Sequence, residues 1–321
     1  MYKRLLIAAA ALLIHASAGL AADYPASSIT LVVPFAAGGP TDTLGRVLAE
    51  RMSARLGQSV VVQNITGAGG SVGVGHVARA APDGYTVCLG NWSTHVLNGA
   101  IYSLDYDLVK DFKPVALLAS APQLIVTKKG VPAATLKDLI AWLKGREVNV
   151  GTAGVGSAGH VSALLFEQQM KTKFVFVHYR GAGPAMIDMV GGHIDLMFDQ
   201  ALNSLPHVRA GEVKAYAVMS PARLASAPEI PTVDEAGLLN FHVSVWAGLW
   251  VPKATPDSVV AKLNDAARAA LSDPALRKKL TALGMDLPKA DDMSPAALAT
   301  LQQAEIKKWW PIVKAAGIKA K

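Results

Sequence analysis

Ile29-Thr30-Leu31-Val32-Val33-Pro34-Phe35-Ala36-Ala37-Gly38-Gly39-Pro40-Thr41-Asp42 is an apolar, β-branched run that breaks into glycines and reopens on polar residues. Residues 29–35 read as a buried strand. Residues 41–56 then carry Leu44, Val47, Leu48, Met52 and Leu56 on one helical face, with Gly57 as the stop. A strand that passes through a glycine-rich turn into a helix is the building unit of an α/β protein. It also leaves backbone N–H groups free at a helix N-terminus, where the dipole favours negative charge.

The same device returns in mid-chain. A strand at 148–151 enters Gly151-Thr152-Ala153-Gly154-Val155-Gly156-Ser157 and then a helix at 160–170. Between the two devices, strands are predicted at 60–63, 86–90, 115–118 and 124–127, and helices at 74–80 and 136–143. Beyond the second come strands at 174–178, 194–199, 215–219 and 243–251, a helix at 184–190, and a helical remainder. Strands alternating with helices predict α/β lobes with largely parallel sheets. Ligands of such sheets sit beyond the carboxyl ends of the strands, where both turns lie, so one anion-binding turn per lobe makes a clamp.

The ends and the composition narrow the class. The chain has 321 residues, a length that points to two domains, and with 51% hydrophobic and 17% charged residues it is not a disordered chain. Lys3 and Arg4, the short apolar stretch 5–14, and the small residues Ala16-Ser17-Ala18 or Gly19-Leu20-Ala21 form a secretory signal, read as residues 1–21. No later stretch is long and apolar enough to span a bilayer, so the expected product is periplasmic and not membrane-spanning. Cys88 is the only cysteine, expected to be a small buried residue, and no intrachain disulfide is possible. The net charge is +7; without Lys3 and Arg4, 29 basic side chains stand against 24 acidic ones. They are dispersed apart from a C-terminal run, which excludes a nucleic-acid footprint and leaves a mild bias toward anionic ligands.

Several residues fall where a ligand would meet them. Thr41 and Ser157 can cap their helices or donate to a bound anion. Asn91, Trp92 and Ser93 leave the strand 86–90 at the same edge, as do Tyr179, Arg180 and Asp199 from theirs. Arg180 suits a carboxylate bidentately, and His160 sits in the first turn of its helix. Trp92, Phe35, Tyr179 and Trp246 are placed to form a flat apolar slot, which predicts a preference for aromatic acids. Rival motifs carry less. Gly154-Val155-Gly156-Ser157-Ala158-Gly159 has the dinucleotide spacing, but the next strand ends in Tyr179-Arg180 where an acidic residue is needed. Gly69-Gly70-Ser71-Val72-Gly73 matches a hydrolase elbow centred on Ser71, yet residues 64–70 separate it from its strand. No histidine pair falls at the i, i+4 spacing of a zinc helix and no CxxC exists, so no metal is expected.

With these residues in view the chain resembles the Bug family, the extracytoplasmic substrate-binding subunits of tripartite tricarboxylate transporters. The likeness rests on the ordered set Val33-Pro34-Phe35 through Asp42, Asn64-Ile65-Thr66-Gly67, Asp83-Gly84-Tyr85, Asp111-Phe112-Lys113-Pro114, the turn 154–160, Tyr179-Arg180-Gly181, Pro231-Thr232-Val233-Asp234 and Trp246-Ala247-Gly248. It implies a type II periplasmic-binding-protein fold, two α/β lobes with a ligand cleft between them, joined near 121–123 and 241–244. The lobes are then 22–122 plus 244–321, and 123–243. It further implies a monomer without catalysis or cofactor, which passes a small carboxylate to membrane permease subunits. Phe35, Gly39, Thr41 and Asp42 in the first turn, with Thr152, Gly156, Ser157 and His160 in the second, would carry the site. Asp42 repels an anion, so it either caps the turn or recognises a hydroxyl or amine on the ligand. The readings that compete are a periplasmic hydrolase using Ser71 and a ligand-sensing partner of a membrane sensor kinase.

Overall fold

Residues 24–320 are described in the computed structural model; the signal segment expected at 1–21 lies outside the described residues. The opening stretch folds as strand β1 (Ile29–Val33), a tight turn, and helix α1 (Pro40–Leu56). Proline at the first helical position suits its fixed φ, and Gly57 at φ 69° ends the helix in the left-handed region. Next come β2 (Val60–Asn64), α2 (Ser71–Ala78) and β3 (Thr86–Asn91). A π-helical turn (Ser93–Leu97) leads into the short α3 (Asn98–Ile101), then β4 (Phe112–Lys128). The second series is α4 (Leu136–Leu143), β5 (Val148–Thr152), α5 (Ala158–Met170), β6 (Phe174–His178), α6 (Ala182–Val190), β7 (Leu196–Gln200), α7 (Ala201–Arg209) and β8 (Val213–Val218). The chain closes with β9 (Ser244–Pro252), α8 (Asp257–Ser272), α9 (Pro274–Ala282) and α10 (Pro295–Ala315).

The strands run in the order β2-β1-β3-β9-β4-β7-β5-β6, with β8 also on β4. Each half has a parallel core, β1 with β2 and β3 in one, β5 with β6 and β7 in the other. The long antiparallel strands β4 and β9 join the halves, so the sheet is mixed where a largely parallel one was predicted. The strands predicted at 115–118 and 124–127 are parts of one 17-residue β4. Pro114 and Pro122, which argue against a strand interior, are accommodated because the register shifts after Pro114 and because the partner of β4 changes at Pro122. Up to Pro122 it pairs with β9; from Gln123 it pairs with β7. The backbones of Gln123, Met219 and Val243 bond to one another there, tying both crossings together.

Helix α7 was absent from the sequence reading. Pro206 inside it breaks the helical signal, yet the nine residues still pack Leu202 and Leu205 inward. Cys88 is fully buried, as expected. Among the described residues, no helix is long and apolar enough to cross a membrane.

Candidate functional site

Four helices start around one small cavity. Phe35, Gly39, Pro40 and Thr41 bring α1 to it; Ser157, Ala158 and Gly159 bring α5; Ala182 brings α6; Asp199 and Gln200 bring α7. At α1, α6 and α7 no side chain caps the N-terminus, so the first N–H groups there are not satisfied by a cap. Each such end carries about half a positive charge. The cavity measures about 40 Å³, a few water molecules' worth of room.

The lobes also touch directly. Ala36 N–H donates to Arg180 O at 2.9 Å, and the Tyr102 hydroxyl donates to Val155 O at 2.7 Å. Glycine is required at these contacts. A Cβ on Gly183 would stand 2.8 Å from the carbonyl carbon of Gly38, and one on Gly69 (φ 59°) 2.3 Å from Val155 O. The arrangement is that of a closed clamp.

Of the residues singled out in the sequence, Phe35, Gly39, Thr41, Asn91, Ser93, Thr152, Ser157 and Asp199 line the cavity. Asn91 organises its own side: its Oδ1 accepts from Ser93 N–H at 3.0 Å and from Ser93 Oγ at 2.8 Å, while its Nδ2 donates to Thr41 Oγ1 at 3.4 Å. With that hydroxyl's lone pair engaged, the Thr41 O–H is left to donate.

The other six do not line it. Asp42 turns back into its own loop, where its oxygens accept from Gly38 N–H, Arg46 Nε and Asn64 Nδ2. Burial pushes its carboxyl up, but these donors and the Arg46 charge outweigh that and hold it below the usual range. Asp42 therefore caps the turn. Trp92 is 1% exposed and meets Trp309 edge-on at 4.7 Å, because helical backbone at residue 92 turns the indole into the core. Gly156 donates its N–H to His160 Nδ1 at 3.1 Å, so the imidazole props the second turn from behind. Burial first, then the neighbouring His178, lower the His160 pKa to about 4, which keeps Nδ1 free to accept. Tyr179 is tied to Asp188 Oδ2 at 2.5 Å, and Arg180 is exposed, reaching the other lobe through its carbonyl alone. Trp246 is buried beside Trp250 and borders a separate groove with Trp309. Of the four rings expected in an aromatic slot, only Phe35 reaches the cavity.

Three lining positions were missed that bear on the site. Gln123 sits at the partner switch of β4, Ala182 opens α6, and Gln200 opens the unrecognised α7. Glycine-rich turns mark α1 and α5 in the sequence, whereas only tertiary packing brings α6 and α7 alongside. The Ser71 hydroxyl accepts from the Asn98 amide at 2.9 Å, a partner that cannot take a proton from it as a general base must.

The model for the tripartite tricarboxylate transporter family receptor matches residues 44–318. Among solved structures, the periplasmic binding protein BugD is 36% identical with a TM-score of 0.89, covering 92% of this chain and all of that one. MatC from Rhodopseudomonas palustris, solved with bound malate, is 40% identical with a TM-score of 0.88, covering 90% of this chain and all of that one. A further R. palustris protein, solved with adipate, is 33% identical with a TM-score of 0.87, covering 93% and all of the two chains. These likenesses carry the two-lobed periplasmic-binding-protein fold over nearly the whole chain, and the chain belongs to the tripartite tricarboxylate transporter receptor family.

Proposed function

We propose that this protein is an exported, non-catalytic receptor that closes on a small carboxylate and presents the closed form to membrane permease subunits. The observation that carries this is the convergence of four helix N-termini on a cavity lined, among the described residues, by no cationic side chain. A carboxylate there is neutralised by backbone N–H groups and dipoles, together with hydrogen bonds from the Thr41 and Ser157 hydroxyls. The similar structures that hold malate and adipate point to the same ligand class. The lobes are residues 22–122 with 244–321, and 123–243, hinged where Gln123, Met219 and Val243 bond. The basic and apolar start of the chain supports export to the periplasm, with removal of residues 1–21.

A thermal-shift screen of organic acids tests the reading. A matching acid at a hundredfold excess over its Kd stabilises by about 2.7 kcal/mol. Small-angle scattering at saturation should show a more compact particle than without ligand. A panel of mono- and dicarboxylates that shifts nothing, or binding without compaction, would refute it. Intact mass of the exported product checks the cleavage.

A further inference from the structure

Among the described residues, Asp199 is the only charged side chain lining the cavity, and it has the sign of the ligand proposed above. It ends β7 and is 3% exposed. Its Oδ2 accepts from Asn203 Nδ2 at 2.7 Å and Ser204 Oγ at 2.6 Å, both on α7. These partners are neutral, and His207, further along α7, is itself paired with Glu212 at 2.6 Å. Among the described residues no cation is bonded to the Asp199 carboxylate, and the helix N-termini around the cavity are left to offset both it and a ligand. An acceptor-only ligand, such as an unsubstituted dicarboxylate, meets an acceptor-only side chain at this wall. Asp42, the other acid weighed for this task, is consumed by its own loop.

We infer that Asp199 selects carboxylates that also carry a hydrogen-bond donor, a hydroxyl or an ammonium group, over plain dicarboxylates of the same length. The inference rests on the carboxylate-receptor reading and names the substrate class of that site. The ligand's carboxyl groups lie on the N–H groups of α1, α5 and α6, and its donor lies on Asp199. A donor bonded to a carboxylate in a closed site is among the stronger hydrogen bonds, and its absence leaves a buried charge unpaired.

Calorimetry on matched acids tests it: succinate against malate and aspartate, and glutarate against 2-hydroxyglutarate and glutamate. The wild type is expected to favour one of the donor-bearing acids over its plain counterpart by about tenfold or more. Which donor wins, hydroxyl or ammonium, separates the two sources. Asp199→Asn keeps an oxygen for Ser204 and is expected to shrink that ratio at least severalfold by weakening the donor-bearing acid, leaving the plain one unchanged or tighter. A purely structural Asp199 would weaken all acids alike. Equal wild-type affinities within each set, or binding of plain acids alone, would overturn the inference while the carboxylate receptor stood. An unchanged ratio in Asp199→Asn would do the same. Should that variant not fold, the wild-type ratios still decide. If no acid of any kind bound, the receptor reading itself would fall and the inference with it.

Discussion

Trp92 presses its indole edge against Trp309 inside the core, so its replacement acts on stability and not on the ligand. Trp92→Ala is expected to cost about 3–5 kcal/mol, read from the urea midpoint, with carboxylate affinity by calorimetry little changed. A folded variant with strongly reduced affinity would return Trp92 to the site. Asp199 leaves a second signature. Burial raises its pKa to about 6, above the ordinary carboxylate value, so the folded chain holds this proton more tightly than the unfolded one. Acidification from about pH 6 toward 4 therefore adds stability at Asp199. His160, lowered to about 4, and His178, lowered by burial, act in the opposite sense. The unfolded chain takes up protons near pH 6.5 that the folded chain refuses, so stability falls over the same window. Asp199→Asn removes the first effect and keeps the second. Its melting temperature should drop more steeply between pH 6.5 and 4 than that of the wild type; parallel curves would show that Asp199 titrates normally.

At the scale of elements, the decisive contact is the N-terminus of α6 against the first turn. Gly183 lies within α6, where alanine is intrinsically favoured by up to about 1 kcal/mol. In the closed clamp, however, the added Cβ would sit 2.8 Å from Gly38 backbone. Gly183→Ala is expected to melt no lower than the wild type, to bind its carboxylate at least about tenfold more weakly, and to stay expanded in small-angle scattering when ligand is added. Normal compaction would mean that the turn yields by a few tenths of an ångström. The sequence showed α1 and α5 clearly, because glycine-rich turns before amphipathic runs are local signals. It did not show α7, whose Pro206 interrupts the pattern, nor the unity of β4, whose two prolines are tolerated by a register shift and a change of partner.

Across the whole molecule, the proposed closure would be weighted by the few bonds that link the lobes. The Tyr102 hydroxyl donates to Val155 O only when the lobes meet; apart, both groups are free to bond water. Tyr102→Phe is expected to remove about 0.5–1.5 kcal/mol from the closed form alone, which is roughly a two- to twelvefold loss of affinity. The melting temperature without ligand should barely move if the open form dominates in solution. A large loss of ligand-free stability would show instead that the lobes stay together throughout.

The residues by themselves determined the α/β class and the two strand–turn–helix devices, because hydrophobic periodicity, capping and glycine placement act within a few positions of the chain, and the order of the motifs carried the resemblance to the family. They also marked most of the polar groups on the first and second turns. Which side chains of those segments face the cavity was decided only by tertiary structure. Trp92 and Ser93 are neighbours in sequence, yet one enters the core and the other the cleft, because the backbone turns helical between them. Asp42 and Asp199 are both buried acids near a helix start. Arg46 and Asn64 claim the first, while the second is bonded only to neutral donors and lines the cavity. Asn64 reaches Asp42 from β2, which pairs with β1, and Asn203 and Ser204 reach Asp199 from α7, the helix whose pattern Pro206 hides in the sequence.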